Sequence, residues 1–357
     1  MSNQQHSARR LIGDGEFIRK FLIALGIILL ALMLWKLSNV LLLAFGAILV
    51  AIILRSSADL LVQYLRVPER WSLTAASLII LGIVIGLLAL FGAQIRSQLT
   101  NVLQSLPVAV DDFSKSLGLG SITDELSQMF DTQEPGGLAA RLAGIGGTIL
   151  GGLGDFLLIV VAGLYIAAAP KLYVDGLVKL FPVNQHRRVR SSLHASGEAL
   201  KLWLMTQLIA MTCVGVLATL AYWIIGLPSP YALGLIAGLL DFIPFLGPIL
   251  GALPAVLIAF TVSTEVALWT ILASLVIQQI EGNVIFPLVA RKVVTVPPAL
   301  ALFAIVAGGV LFGGFGLVFG FPLAVVTYVL VKKLYVRETL GEETPVPGET
   351  PSGGESR

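Results

Sequence analysis

The chain has 357 residues, of which 57% are hydrophobic and only 12% are charged. Soluble domains carry about 25% charged residues, so the composition excludes an ordinary soluble protein and indicates a polytopic membrane protein. The net charge of +2 is too small to indicate a nucleic-acid partner, and the single cysteine, Cys213, excludes an intramolecular disulfide.

The first part of the chain predicts a cytoplasmic N terminus over residues 1–20 and three membrane spans over residues 21–93. The apolar runs at 21–35 and 37–54 are separated only by Lys36. One helix over both runs would be about 50 Å long, whereas the hydrocarbon core of a bilayer is about 30 Å thick. We therefore predict two antiparallel spans with a turn at Lys36, followed by a third span.

Residues 94–141 have a different character, because apolar positions recur there at helical spacing between polar ones. This pattern predicts amphipathic helices outside the membrane core. The segment has only three Lys or Arg against six Asp or Glu, which favours the extracytoplasmic side. Two interpretations of residues 94–141 are open. The segment is either a packing or oligomerisation domain, or a gate or substrate vestibule.

A fourth span at 142–169 is rich in glycine in its first half, which permits either close helix approach or a start outside the membrane. Residues 170–201 then carry six Lys or Arg against two Asp or Glu. Because short basic loops stay in the cytoplasm, this segment and the basic residues near 337 predict cytoplasmic termini. An uncharged span follows at 202–226, and residues 338–357 have the composition of a disordered acidic tail.

Residues 202–337 form the predicted core of the protein, and the apolar segment after Pro230 is interrupted there by Asp241, Pro244 and Pro248. Proline lacks the backbone N–H, and its ring clashes with the preceding helical turn. Inside a bilayer, broken backbone persists only when it is buried in protein or faces a water-filled cavity. The pattern therefore predicts a re-entrant helical hairpin.

A second broken hairpin is predicted around the glycine-rich centre of residues 300–331. Pro230 and Gly247 lie 17 residues apart in the first hairpin, Pro298 and Gly316 lie 18 apart in the second, and another glycine follows four residues later in each. The two hairpins either form an inverted pair of the kind that builds transporter sites or share this spacing by coincidence. The predicted hinge and break residues are Pro244, Gly247, Pro248, Gly251, Gly313 and Gly316.

A second polar cluster follows in the next apolar helix, and an ionisable residue inside a membrane segment is a functional-site candidate by default. We predict a substrate- or ion-binding site where this cluster meets the first break. Asp241 and Glu281 are its titratable groups, because removal from water makes a carboxyl group easier to protonate. The neutral hydrogen-bonding members of the predicted site are Gln278, Gln279 and Asn283.

Both carboxylates also have structural alternatives. Asp241 could cap the broken helix, and Glu281 could pair with Arg291 or Lys292. Neither alternative requires a ligand.

The two polar clusters carry a family resemblance. The run Gly-Leu-Leu-Asp-Phe-Ile-Pro-Phe-Leu-Gly-Pro at 238–248, with Pro228 and Tyr231 before it, and Gln-Gln-Ile-Glu-Gly-Asn at 278–283, with Pro287 after it, resemble the autoinducer-2 exporter family. The resemblance implies a bacterial inner-membrane protein with about eight membrane segments and an all-α fold. It also implies homo-oligomers, with a pentamer as one form, and either export of a quorum-sensing signal or exchange of Na⁺ or Li⁺ for H⁺.

Three classes of function compete for this sequence. The first is a secondary transporter, with the antiporter as one form, that moves a small polar solute or a monovalent cation. The others are an oligomeric passive channel and a structural or regulatory membrane protein. The three histidines show no metal-ligand spacing, and the sequence has neither a nucleophile elbow nor a phosphate-binding loop. We therefore expect no catalytic residues, no metal site and no cofactor.

Overall fold

The computed structural model describes residues 3–86, 137–289, 296–342 and 344, and this part of the chain contains helices but no strand. In chain order the helices are α1 (Asn3–Lys36), α2 (Ser38–Leu65), α3 (Glu69–Gly86), α4 (Gly137–Ala168), α5 (Pro170–Val178), α6 (His186–Ile225), α7 (Pro230–Leu240), α8 (Gly247–Val262), α9 (Thr264–Ile280) and α10 (Pro298–Leu330). Turns of π-helix at Glu281–Ile285 and Val331–Arg337 follow α9 and α10.

The described helices confirm the predicted all-α polytopic membrane fold. Six of them are long and apolar enough to cross a membrane, and a seventh candidate is formed by Gly154–Ala168 together with α5, which bends away by 88°. The predicted amphipathic segment at 94–141 and the acidic tail at 338–357 lie largely outside the described residues. The predicted boundary at residue 201 falls inside α6, because the basic segment and the following span share one helix.

The junction between α1 and α2 differs from the predicted antiparallel turn. The helix is interrupted at Leu37 (φ −89°, ψ 1°), where the Leu37 N–H donates to the Met33 carbonyl of α1 and the Leu41 N–H donates to the Leu37 carbonyl, both at 2.9 Å. Every described α1 side chain from Phe17 onward is exposed, whereas an antiparallel partner would bury one face. The predicted break beside Lys36 is therefore present as a single turn residue, but α1 does not pack back against α2 as an antiparallel span.

The close approach of α4 to α2 occurs further along α4 than its glycine-rich start. A Cβ atom on Gly163 would lie 2.7 Å from Cγ1 of Val50 and 3.0 Å from the Ala47 carbonyl oxygen. Gly152 and Gly154, by contrast, have nothing within 4 Å of that position. The small residue at 163 therefore sets the distance between these two helices.

Helix α6 is the central support of the fold, and α7 packs directly onto it. A Cβ atom on Gly238 would lie 2.6 Å from the Met211 carbonyl oxygen, and one on Gly234 would lie 2.8 Å from the Gly215 carbonyl oxygen. Two glycines one turn apart thus bring the α7 backbone onto α6, the small-residue packing that membrane helices favour. This contact holds the first hairpin against α6.

The first predicted hairpin is confirmed. Helix α7 ends at Leu240, residues 241–246 form turns, and α8 begins at Gly247. The two arms approach closely, since a Cβ atom on Gly251 would lie 2.9 Å from the Ala237 Cα.

The second predicted hairpin is also present, within the residues of α10. Gly313 has a non-helical conformation (φ 63°, ψ −141°) at its centre. A Cβ atom on Gly320 would lie 2.7 Å from the Ala304 carbonyl oxygen, whereas sixteen residues of straight helix would separate these positions by about 24 Å. The chain therefore folds back at Gly313, and its two arms run over residues 298–312 and 314–330.

We expect Gly308→Ala to destabilise the second hairpin, whereas Gly314→Ala should not. A Cβ atom on Gly308 would overlap the Gly316 carbonyl of the opposite arm, but one on Gly314 meets nothing within 4 Å. Overpacking of this kind costs about 1–3 kcal/mol. Thermal melting of the purified protein in detergent measures the difference, and equal melting temperatures for the two variants would contradict the close packing of the arms.

Candidate functional site

The break between α7 and α8 places Asp241 in the protein interior. Its N–H still donates to the Ala237 carbonyl at 3.1 Å, so Asp241 ends the helix. The chain then reverses through Phe245, which has a left-handed φ of 68°, and Pro248 lies in the first turn of α8. The two prolines and the left-handed residue stop α7 and allow α8 to start in a new direction.

The Asp241 side chain is buried and incompletely paired. Only 2% of the residue is exposed, and its Oδ2 atom has no hydrogen-bond partner among the described residues. Helix α8 starts without a side-chain cap hydrogen bond, which argues against the capping alternative. A buried polar atom without a partner is costly, so this oxygen indicates a site where a ligand completes the pairing.

Gln207 of α6 supports the hairpin tip from the opposite side. Its Nε2 donates a 2.7 Å hydrogen bond to the main-chain carbonyl oxygen of Asp241, and both residues are buried. The bond pairs a carbonyl group that the broken helix leaves free. The sequence analysis did not select Gln207, although it is the one amide side chain in the predicted span at 202–226.

The second polar cluster divides between two faces. Gln278, Glu281 and Gly282 line the same cavity as Asp241, as expected for positions three and four apart on one helix face. Gln279 and Asn283 are exposed and form their own hydrogen bond, from Asn283 Nδ2 to Gln279 Oε1 at 2.8 Å. Three of the five predicted site residues are therefore brought together, and two lie on a neighbouring face.

These residues surround a space of about 750 Å³, here called the central cavity. Its walls come from α6, the tip of the first hairpin, the end of α9 and both arms of the second hairpin. The wall is mainly apolar, with four polar side chains directed from different elements, as in small-molecule sites of this size. These polar residues are Gln207, Asp241, Gln278 and Glu281.

The two carboxyl groups, Asp241 and Glu281, lie on the wall of the same cavity together with Gln278. Like charges in a largely apolar cavity repel strongly unless a proton or cation is shared between them. The alternative partners of Glu281, Arg291 and Lys292, lie outside the described residues.

The predicted hinge residues lie where the backbones turn or touch. Pro244 and Pro248 line the central cavity, Gly247 and Gly251 are at the contact between α7 and α8, and Gly313 and Gly316 are at the turn of the second hairpin. The described residues contain no group of three or more His, Cys, Asp or Glu that could hold a metal ion. The polar chemistry of the central cavity thus comes from carboxyl and amide groups.

The fold and the central cavity together define a polytopic helical membrane protein in which two broken hairpins enclose a polar-lined site. The family model described as "AI-2E family transporter" matches residues 21–336, which is most of the chain. The protein belongs to this family of transporters, as the resemblance in the sequence implied.

Named relatives in bacteria agree with this assignment. The chain is 33% identical to "Putative transport protein YrrI" of Bacillus subtilis over 152 residues, which are 43% of this chain and 43% of that protein. It is 31% identical to "Putative transport protein YueF" of the same organism over 159 residues, 44% of this chain and 42% of that protein. The matched part of the chain thus spans less than half the length of these two relatives.

Proposed function

We propose that the protein is a secondary transporter that moves a small polar solute, such as an autoinducer-2-like signal, or exchanges a monovalent cation for protons. The observation that supports this function most directly is the buried Asp241, whose unpaired Oδ2 lies at the wall of the central cavity. In this proposal the carboxyl group is the coupling residue. Its binding partner alternates between a proton and the transported Na⁺ or Li⁺.

The surroundings of Asp241 suit such an exchange. The break frees main-chain carbonyl groups beside the carboxylate, and half-helix ends of this kind coordinate ions in transporters. Glu281 supplies a second carboxylate at the same cavity, and Gln278 supplies an amide. Each binding event removes the cost of leaving a buried carboxylate unpaired.

We further propose a setting for this function. The protein lies in the bacterial inner membrane with both termini in the cytoplasm, because the basic segments around 170–201 and 331–337 then lie on one side. The two hairpins enter from opposite sides. The protein forms homo-oligomers, with a pentamer as one arrangement, and it has no catalytic role.

Two pairs of variants separate the cavity face of the second cluster from the exposed face. We expect Gln278→Ala and Glu281→Gln to lower transport by about tenfold or more, since a hydrogen bond to a charged group contributes about 1.5–3 kcal/mol. Gln279→Ala and Asn283→Ala should leave transport within about twofold, because these side chains bond to each other and not to the cavity. Transport rates in proteoliposomes measure both pairs, and equal losses on both faces would contradict the proposed site.

The test of the proposed function is proton flux in proteoliposomes of the purified protein. Sodium, lithium, potassium and an autoinducer-2 preparation are each supplied as a gradient. Proton movement that depends on one cation and saturates supports the antiporter, and a response to the signal alone supports the exporter. Ion conduction without proton coupling would instead support the oligomeric channel.

A further inference from the structure

A second cavity lies beside the central cavity, and no step of the proposed function uses it. It has a volume of about 400 Å³, is here called the outer cavity, and is formed by α2, the end of α4, α5, α6 and the second arm of α10. Its exposed rim is polar and mixed in charge, and one ion pair joins Lys201 Nζ to Asp59 Oδ2 at 3.7 Å. The rim residues are Arg55, Asp59, His194, Glu198 and Lys201.

The inner end of the outer cavity contains a polar group that lacks a partner. Ser196 is 4% exposed and lines this cavity, and its Oγ atom has no hydrogen-bond partner among the described residues. A buried hydroxyl group in this state is unfavourable unless water or a solute reaches it. The inner end of the outer cavity therefore offers a hydrogen-bonding group to water or to a polar solute.

The two cavities follow one stripe of α6. Ser196 and Leu200 line the outer cavity, whereas Trp203 and Gln207 line the central cavity. These positions are four, three and four residues apart, which places them on one face of a helix. Ser196 and Gln207 are separated by about 16 Å along the helix axis, so one continuous face connects the two cavities.

The second arm of α10 also reaches both cavities. Val326 lines the outer cavity and Phe321, five residues earlier on the same arm of α10, lines the central cavity. Helix α6 and this arm therefore each contribute side chains to both cavities.

An aromatic layer separates the cavities at the level of Trp203. The Trp203 ring contacts Phe242 of the first hairpin at a centroid distance of 5.6 Å and Phe321 of the second at 5.3 Å. Trp203 and Leu200 are each 2% exposed, so both side chains are tightly packed. One side chain of α6 therefore contacts both hairpins, next to the α6 residue that lines the outer cavity.

Phe245, Ile249 and Phe286 form a further part of the wall of the central cavity, and all three are exposed on the surface of the protein. A polar-lined site that an aromatic layer separates from a second, polar-rimmed cavity is the arrangement that a gated solute pathway requires.

We propose that the outer cavity is a vestibule that connects Asp241 with the side of the membrane on which the loop containing α5 lies. Trp203 is the barrier between the outer cavity and the central cavity. The inference rests on the proposed transport function. Movement of either hairpin relative to α6 separates Phe242 or Phe321 from Trp203 and opens the passage. Trp203 is thus a positioning residue of the pathway and does not bind the transported ion.

Cysteine labelling from one side of the membrane tests the barrier. Cys213→Ser removes the single native cysteine, and Ser196→Cys or Ala301→Cys then places one thiol in the outer or the central cavity. A membrane-impermeant maleimide is added only from the side of the α5 loop, without ion gradient or substrate. We expect Ser196→Cys to react, and we expect Ala301→Cys to react at least about tenfold more slowly, because its labelling requires a transient local opening of the protein.

Adding Trp203→Ala should raise the reaction rate of Ala301→Cys from that side toward the rate of Ser196→Cys. Trp223→Ala is the matched control, because Trp223 lies on the same helix but is 63% exposed and lines neither cavity. Trp203→Leu keeps an apolar side chain and should give an intermediate rate if the alanine variant does not fold. The proposal is overturned if Ala301→Cys reacts rapidly with Trp203 in place, or stays protected in a folded Trp203 variant.

The labelling result is independent of coupled flux. Failure to detect proton exchange would remove the proposed antiport but would leave the accessibility pattern, whereas rapid labelling of Ala301→Cys would remove the barrier without affecting the role of Asp241.

Discussion

We expect Asp241→Asn to abolish coupled transport and to leave the fold intact. Asparagine has the shape of aspartate, so the turn at residues 241–246 and the hydrogen bond from Gln207 to the residue 241 carbonyl should persist. The substitution removes the negative charge and the exchangeable proton from the cavity wall. Since a hydrogen bond or ion contact to a charged group contributes about 1.5–3 kcal/mol, cation binding should weaken by about ten- to a hundredfold.

Proton flux and thermal melting, measured on the same preparation, separate the two parts of this expectation. Flux in Asp241→Asn should fall to the level of protein-free liposomes, while the melting temperature stays the same or rises, because the variant no longer buries an unpaired carboxylate. Asp155→Asn, the same substitution in α4 away from the cavity, is the matched control. Full transport by Asp241→Asn would remove Asp241 from the mechanism.

The breaks in the chain were predictable because their causes are local. Proline at 244 and 248 removes backbone donors wherever the segment lies, and the glycine-rich centre of α10 permits the left-handed turn at Gly313. The two carboxylates were predictable for the same reason, since a charge in an apolar run is visible without tertiary structure.

The remaining parts of the site depend on packing between distant segments. Gln207 reaches the Asp241 carbonyl across 34 residues of sequence, and only the contact of α7 with α6 brings the two together. The division between Gln278 and Gln279 depends on which face of α9 turns toward the hairpins. No local pattern gives that rotation, because both faces of the helix contain apolar residues.

The junction at Leu37 shows the limit of a length argument. The two apolar runs together exceed the thickness of a bilayer, and the helix is interrupted at Leu37, but the exposed side chains of α1 show that it does not pack back against α2. Length predicts that a helix is interrupted and does not by itself predict the direction of the next segment.

We expect Gly247→Ala to reduce transport and stability together, although glycine contributes no functional group. A Cβ atom at this position would overlap the Leu240 carbonyl oxygen and would lie 2.6 Å from the Asp241 Cα. These atoms are main-chain atoms at the end of α7, so they can move away only if the break itself opens. The expected loss is about 1–3 kcal/mol of stability, together with displacement of the Asp241 carboxylate from the central cavity.

Gly282→Ala is the matched control for this prediction. Gly282 also lines the central cavity, but a Cβ atom there meets nothing within 4 Å. Melting temperature and proton flux should both fall in Gly247→Ala and stay close to the parent values in Gly282→Ala. Because the conformation at Gly247 is helical, a loss confined to Gly247→Ala would come from the closeness of the two backbones. Equal losses in both variants would mean that the cavity tolerates no added methyl group, and the tight turn would then not be what positions Asp241.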